Sequence, residues 1–248
     1  MKVAVCISHV PDTATRVKIG QDEKLIDPTG VVYIINPYDE FAVEEALKTK
    51  EKFGGEVIAI SVGNENSKES IRKALAMGVD KGVLLKTEKI LDSFGIARAL
   101  ADELKVQQCD IVFMGKQSVD YDDSIVGQIT SELLGFSCIS NVVDLKIEGQ
   151  KLLAEREIEG GKEVIESEIP AVITAQKGLN EPRYASLKGI MASKKKEILE
   201  KIIPETTNLT EVLRMRKPVS KQPGRIIGTD VSAVPELVRL LHEEAKVI

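Results

Sequence analysis

The sequence contains no tryptophan, and aromatic residues make up only 4% of its 248 residues. Proteins that hold single-stranded nucleic acid commonly stack the bases on aromatic side chains, and nucleic-acid binders in general carry a surplus of positive charge. Here the formal net charge is −5. The composition therefore argues against nucleic acid as a partner and against attraction to an anionic membrane surface.

Cysteine and histidine are also scarce. The three cysteines, Cys6, Cys109 and Cys138, form no CxxC pair, and the first two stand in apolar runs. This pattern is typical of free buried thiols in a reducing compartment rather than of a disulfide framework. Because the only histidines are His9 and His242, a histidine-rich metal centre is excluded, and we expect no bound metal.

Long apolar runs are missing as well. A helix that crosses a bilayer needs ~20 predominantly apolar residues, and no stretch of the sequence approaches that length. The first residues, MKVAVCISHV, are typical of a strand and lack the marks of a signal or transit peptide. We therefore expect a cytoplasmic bacterial protein without direct membrane insertion.

What the sequence does have is an alternation of short apolar segments with amphipathic ones. The apolar runs predict strands, and the periodic segments predict helices. The strands are expected at 2–8, 56–63, 82–86 and 110–115, and the helices at 38–53, 67–78, 92–105 and 122–135. Such an alternation predicts an α/β fold, a Rossmann-like parallel sheet with helices on both faces.

The pattern changes in the second half of the chain. Residues 141–169 alternate apolar and polar side chains around two Gly-containing turns, which predicts an antiparallel β meander, and 171–176 return to the character of a buried strand. After Pro204 the sequence becomes charged and rich in proline until an amphipathic helix at 234–247. We therefore expect a domain at 1–205 and a C-terminal arm at 206–248, which lies against the domain or against another chain. Leu237, Leu240 and Leu241 form the apolar stripe of the arm.

In a doubly wound sheet, ligands bind beyond the carboxyl ends of the strands. Three segments occupy such positions, 6–11, 62–64 and 115–128. In the third segment Gly115 lets the chain leave its strand, and the helix expected from residue 122 would direct its first N–H groups at a phosphate. The alternative is an ordinary helix capped by aspartate. Likewise Asp39 could be the N-cap of the first long helix, or its loop could contact an adenine.

Known catalytic and nucleotide motifs are absent. The sequence has no GxGxxG fingerprint and no Walker A loop, and no Ser-His-Asp or Cys-His arrangement follows from its spacing. We therefore expect a protein that holds ligands and not an enzyme, with no catalytic residue.

Four segments carry a resemblance to a known family. They are INPYDEFAVEEAL (35–47), ALAMGVDKGV (74–83), GKQSVDYDDSIVGQ (115–128) and GLNEPRYASLKGIMASKKK (178–196). With these the chain resembles the β subunit of electron transfer flavoprotein over nearly its whole length. The resemblance implies a heterodimer with an α subunit that holds most of the FAD, and a structural AMP in the β subunit. Electrons would pass from flavin-containing dehydrogenases to the FAD and then to an acceptor.

The resemblance also implies which residues bind the cofactors. They are Cys6, Asn36, Pro37, Tyr38, Asp39, Val62, Gln117, Ser118, Val119, Asp120, Tyr121, Asp122, Asp123, Ser124, Ile125, Val126, Gly127, Gln128 and Ile129. A related group in the family is electron-bifurcating, binds a second FAD in this crevice and oxidises NADH. The bulky Tyr121 favours the AMP type, whereas the pair Val126-Gly127 is nearer to the bifurcating type.

The segment after NEPRY corresponds to the recognition loop that anchors the dehydrogenase in the family. The resemblance implies that Tyr184, Leu187 and Ile190 form this docking surface, and that Leu187 enters an apolar pocket of the partner. Without the resemblance, Leu187 would be expected to pack into its own core, in a segment too broken for a regular helix. Lys194–Lys196 would be a solvated face or would attract an acidic partner. The arm is expected to contact the α subunit.

Overall fold

The computed structural model describes residues 1–204, 206–220 and 223–248. The predicted domain boundary at residue 205 lies outside these ranges. The strands are β1 Lys2–Cys6, β2 His9–Pro11, β3 Tyr33–Ile35, β4 Glu56–Gly63, β5 Lys81–Lys86, β6 Ile111–Gly115, β7 Ser137–Glu148, β8 Lys151–Ile158, β9 Gly161–Glu168, β10 Ala171–Ala175 and β11 Ile198–Ile202. The helices are α1 Pro37–Phe53, α2 Lys68–Met77, α3 Ser93–Gln107, α4 Val126–Leu134, α5 Leu187–Ser193 and α6 Val234–Glu243.

The main sheet has the order β11-β5-β4-β1-β6-β10-β7-β8-β9. It is parallel from β11 to β7 and antiparallel from β7 to β9, while β2 and β3 form a small antiparallel pair. The Rossmann-like fold and the meander are thus confirmed. Because β4 and β6 flank β1, the strand order reverses at β1, and a ligand crevice is expected at the carboxyl ends of β1 and β6.

The alternation of side chains in β1 explains the two layers of helices. Val3 and Val5 point into one apolar cluster, which also contains Ala42 and Leu47 of α1. The intervening Ala4 and Cys6 belong to the cluster on the other face, together with Leu100 of α3. Strands that are covered on both faces need to be apolar at every position, which is why β1, β4, β5, β6 and β10 were visible in the sequence.

Three sequence predictions about secondary structure are wrong, and the strands β2, β3 and β11 were not predicted. Helix α4 begins at Val126 and not at 122, because Asp122 and Ser124 adopt φ values of 60° and 55°, which are incompatible with a helix. The N-cap of α1 is Asn36, and Asp39 lies inside the first turn. The segment predicted to be irregular contains α5, whose N-cap Ser186 accepts a hydrogen bond from the N–H of Gly189.

Helix α6 lies in the predicted C-terminal arm, residues 206–248. In α6, Leu240 is buried, Leu241 is half-buried and Leu237 is 43% exposed, so the apolar stripe is only partly covered by this chain. Within the described ranges, no helix combines the length and apolarity that crossing a bilayer requires.

Candidate nucleotide cleft and docking surface

A cleft of about 990 Å³ opens at the carboxyl ends of β1 and β6, where the strand order reverses. All three predicted segments reach it. The predicted residues in its lining are Cys6, Asp39, Val62, Gln117, Ser118, Asp120, Tyr121, Asp123, Ser124, Ile125, Val126 and Gly127. The predicted residues Asn36, Pro37, Tyr38, Val119, Asp122, Gln128 and Ile129 are not part of the lining.

Asp39 fastens the two strands that frame the cleft. Its carboxylate accepts hydrogen bonds from the N–H of Ser8, at 2.7 Å, and from the N–H of Gly115, at 3.0 Å. These groups follow β1 and end β6, so one side chain of α1 fixes both edges of the crevice. Burial raises the pKa of Asp39 to about 7, although the bonds from Ser8 and Gly115 oppose the shift. Asp39 is therefore a structural fastening in the floor of the cleft.

Asn36 has a similar role just before α1. Its side chain is fully buried, donates to the carbonyl of Gln117 at 2.8 Å and accepts from the N–H of Val119 at 3.3 Å. Asn36 thereby holds the loop after β6 without reaching the cleft itself. Cofactor binding by Asn36, which the resemblance implies, stays a prediction, and its side chain supports the loop.

The loop between β6 and α4 is shaped by its own side chains. Ser124 donates from Oγ to Gln117 Oε1 at 2.8 Å, and Gln117 in turn donates to Asp122. With Asp122 and Ser124 in the left-handed region, the chain turns so that Val126 and Gly127 begin α4 at the cleft wall. The first N–H groups of an α-helix lack intrahelical partners, and they attract anions. The loop therefore brings the N-terminus of α4 to the cleft wall beside Ser124.

Charged side chains of both signs surround the cleft. Asp120 and Asp123 lie on the loop, and Lys24, Lys89 and Lys116 also belong to the lining. A carboxylate repels a phosphate but accepts a hydrogen bond from a sugar hydroxyl. The arrangement suits a ligand that has a charged end and a hydroxyl-bearing middle better than it suits a free anion.

The C-terminal arm forms one wall of the cleft, which sequence reasoning missed. Residues 207–212 belong to the lining. Asp92 accepts bonds from the N–H of Leu209, at 2.7 Å, and from the N–H and hydroxyl of Thr210, at 2.8 and 3.1 Å. Asn208 donates to the carbonyl of Ile90 at 2.9 Å. The arm is thus fastened beside the N-terminus of α3.

A second set of contacts fastens the arm at the loop of residues 22–25, which also lines the cleft. Lys24 pairs with Glu211 at 2.6 Å, and Arg214 pairs with Glu23 at 2.9 Å. The N–H of Met215 also donates to the carbonyl of Glu23 at 2.6 Å. The arm therefore crosses the mouth of the cleft between two anchors. No local sequence signal joins residues so far apart in the chain.

His9 belongs to the lining of the cleft and is held by contacts with neighbouring side chains. Its ring stacks on Tyr33 with 5.1 Å between centroids, and Nδ1 lies 2.9 Å from the hydroxyl of Ser70. Burial lowers the pKa of His9, and nearby Glu69 opposes this shift. Nδ1 and one ring face of His9 are therefore engaged in contacts within this chain.

The predicted docking residues lie on the outer surface, on and just before α5. Tyr184 is 98% exposed and Leu187 is 83% exposed, and Ile190 and Met191 are exposed beside them. The alternative in which Leu187 packs into its own core is therefore wrong. Apolar side chains that are this exposed and adjacent are typical of a surface that another protein covers.

Comparison with known proteins gives consistent results. A family model described as "Electron transfer flavoprotein domain" matches residues 24–205. The chain is 38% identical to "Electron transfer flavoprotein subunit beta" of Bacillus subtilis, with 100% of both chains covered. It is also 38% identical to the protein of that name from Bradyrhizobium diazoefficiens, again over 100% of both chains. The human protein of that name is 37% identical, over 100% of this chain and 99% of its own length.

Proposed function

This chain belongs to the electron transfer flavoprotein family, as a β subunit, and from that premise we propose that it binds AMP in the cleft at β1 and β6. The observation that carries the proposal is the N-terminus of α4, where Val126 and Gly127 reach the cleft wall beside Ser124. The phosphate would accept bonds from these N–H groups and from Ser124. Asp120 or Asp123 would accept a bond from a ribose hydroxyl.

The proposed role of AMP is structural. The cleft is roofed by residues 207–212 of the arm, which continues to α6. A nucleotide in the cleft would touch both the domain and the arm, so it would stabilise the arm against the domain. The partly uncovered stripe around Leu237 and Leu240 of α6 would then pack against the α subunit.

We further propose that the chain acts as an electron carrier subunit. The FAD would be held mainly by the α subunit, and this chain would support it and bring a flavin-containing dehydrogenase near. Tyr184, Leu187 and Ile190 would form the docking surface, with Leu187 as its anchor. The two buried free thiols, Cys6 and Cys109, are consistent with the reducing cytoplasm of a bacterium.

Cofactor analysis of the purified heterodimer tests this function. The chain is co-expressed with its α subunit, the complex is denatured in acid, and the released flavins and adenine nucleotides are counted. We expect one FAD and one AMP per heterodimer. A complex without AMP would contradict the assignment of the cleft.

The size of the cleft favours one second candidate. Its volume of about 990 Å³ is at the upper end of the usual range for ligand pockets, ~300–1,000 Å³, and leaves room for a ligand larger than AMP. In the bifurcating type, a second FAD would occupy this space and the complex would oxidise NADH. Two FAD per heterodimer, no AMP and NADH oxidation by the complex would establish this alternative.

A further inference from the structure

Helix α5, which carries the exposed Leu187, lies against the last turn of α2 in close backbone contact. A Cβ on Gly189 would overlap with the carbonyl oxygen of Ala76. This approach leaves no room for a side chain at residue 189 of α5. It also turns Leu187 and Met191 outward, and they are 83% and 72% exposed.

Two cationic side chains connect α2 with the C-terminal end of α5, and each donates hydrogen bonds to backbone carbonyls of the other segment. Arg72 of α2 donates from Nη1 to the carbonyls of Ser193, at 2.5 Å, and Lys196, at 2.6 Å, at the end of α5. In return Lys196 donates from Nζ to the carbonyl of Leu75, in the last turn of α2, at 3.1 Å, and to the carbonyl of Val79, two residues after the helix. The last carbonyls of a helix lack intrahelical partners and carry partial negative charge, so both cations are stabilising there.

These hydrogen bonds give Lys196 an environment that differs from that of the two lysines before it. Lys194 and Lys195 are exposed, whereas Lys196 is half-buried, and burial lowers its pKa. Its ammonium group is directed at backbone carbonyls of its own chain and is therefore not part of a surface that attracts a partner. A run of three lysines in the sequence thus contains one structural lysine.

The chain before α5 is fastened equally well. Arg183 pairs with the buried Glu44 at 2.8 Å and with Glu51 at 2.6 Å, and Asn180 donates to the carbonyl of Phe41 at 3.0 Å. Both Glu44 and Phe41 belong to α1. The exposed side chains of Tyr184 and Leu187 consequently stand between one anchor on α1 and another on α2.

We propose that Arg72 and Lys196 are positioning residues for docking, which hold α5 against α2 so that Leu187 meets the dehydrogenase in a fixed orientation. The proposal rests on the proposed function. Binding through a mobile segment costs the conformational entropy of ordering it, and a segment that is already ordered avoids this cost. Neither residue needs to touch the partner, because their effect passes through the position of α5.

The variants Arg72→Met and Lys196→Met remove the cation and keep an unbranched apolar stem. Arg72→Lys is the conservative control, because a single Nζ can replace the one nitrogen that makes both bonds. Arg98→Met is the matched control, because Arg98 is an exposed helical arginine whose ion pair, with Asp102, lies within α3. All are prepared as the αβ heterodimer, and FAD content is measured to confirm assembly.

Two measurements are made on each heterodimer. Hydrogen exchange of the amides of 187–193, without any partner, reports whether α5 is held; we expect exchange about tenfold faster in both methionine variants. Stopped-flow reduction then uses a flavin-containing dehydrogenase of the source organism, chosen because it reduces the unaltered heterodimer. The half-saturating concentration is expected to rise roughly fivefold and the rate at saturation to stay unchanged. Arg72→Lys and Arg98→Met should resemble the unaltered protein in both measurements.

Unchanged exchange in both methionine variants would overturn the proposal, whatever the kinetics. Faster exchange with an unchanged half-saturating concentration would also overturn it, provided that Leu187→Ala raises that concentration in the same assay. If Leu187→Ala has no effect either, the docking assignment under the proposed function fails first, and the positioning role fails with it.

Discussion

The carboxylate of Asp39 and the backbone N–H of Gly115 are joined by a hydrogen bond of 3.0 Å at the floor of the cleft. The bond ties the first turn of α1 to the carboxyl end of β6. The contact is so close that a Cβ on Gly115 would lie 2.8 Å from Cβ of Tyr38 and 2.9 Å from the backbone nitrogen of Asp39. The architecture of the cleft therefore depends on the absence of a side chain at residue 115.

We predict that Gly115→Ala destabilises the protein by about 1–3 kcal/mol, because α1 must move away from β6 to admit the methyl group. Urea denaturation followed by circular dichroism measures the free energy of unfolding. Gly161→Ala is the matched control, because a Cβ there meets nothing within 4 Å and its φ is not positive. The control should change the free energy of unfolding by less than about 0.5 kcal/mol. Equal effects of the two substitutions would show that the crowding at Gly115 has no energetic consequence.

The raised pKa of Asp39 predicts that stability depends on pH. Its pKa is about 7 in the folded protein, against an ordinary value of 3.8. Between these values the folded state retains a proton that the unfolded state has lost, so the free energy of unfolding falls as the pH rises from about 4 to about 7. The loss from this one group should be on the order of 3 kcal/mol.

Other groups titrate in the same range, so the test compares two proteins. Urea denaturation at several pH values is carried out on the unaltered chain and on Asp39→Asn, which cannot ionise. The difference in the free energy of unfolding between the two should change over pH 4–7. Parallel pH profiles would mean that Asp39 has an ordinary pKa despite its burial.

The alternation of strands and helices predicted most of the fold, because strands buried on both faces must be apolar throughout. The start of α4 could not be predicted in this way. The sequence DYDDS resembles an aspartate-capped helix, yet Asp122 and Ser124 take left-handed conformations that only the surrounding loop stabilises. Strand β11 was missed because it is an edge strand with several exposed side chains, so it lacks the apolar character of its neighbours.

The candidate site was predicted from position in the sheet and from the family resemblance, and its roof was not predicted at all. The roof depends on Asp92 and Thr210, which are distant in sequence and adjacent in space. The sequence predicted a helix over 92–105, and Asp92 is the N-cap of α3, where it accepts a hydrogen bond from the N–H of Gly95. The other carboxylate oxygen of Asp92 accepts the hydrogen bonds from Leu209 and Thr210. This contact depends on the tertiary fold and has no signal in the local sequence.

We predict that Asp92→Ala releases the arm from the mouth of the cleft. Although burial opposes it, hydrogen bonds from Gly95, Thr210 and Leu209 hold the pKa of Asp92 below its ordinary value, so the carboxylate is charged when it binds the arm. Bonds to a charged acceptor are strong, and losing those to the arm should speed tryptic cleavage after Arg214 and Arg216 at least about tenfold. Limited proteolysis with mass spectrometry measures this rate.

Asp230→Ala is the control for the arm experiment. Asp230 also caps a short helical turn, by accepting from the N–H of Ser232 at 2.8 Å, but this bond lies within the arm. Its removal should leave cleavage after Arg214 unchanged. If Asp92→Ala is cleaved no faster than the unaltered chain, the contacts at Glu23 and Lys24 alone suffice to hold the arm.

Leu187 offers the sharpest test of the docking surface, because its side chain is exposed and makes no contribution to the core. We predict that Leu187→Ala leaves the free energy of unfolding and the FAD content of the heterodimer unchanged. Truncating a central apolar anchor often costs ~2 kcal/mol or more in binding, so the half-saturating concentration for reduction by the dehydrogenase should rise more than about tenfold.

Ile202→Ala is the matched control for this experiment, since Ile202 is an apolar side chain of similar exposure, 87%, at the end of β11. If any exposed apolar side chain contributed to docking, Leu187→Ala and Ile202→Ala would raise the half-saturating concentration equally. If Leu187 is the anchor, only Leu187→Ala raises it. Lys194 and Lys195 are exposed next to α5 and should attract an acidic partner. Raising the salt concentration should therefore weaken docking, and by the same factor for the unaltered protein and for Ile202→Ala. Kinetics of Leu187→Ala equal to those of the unaltered heterodimer would remove α5 from the docking surface.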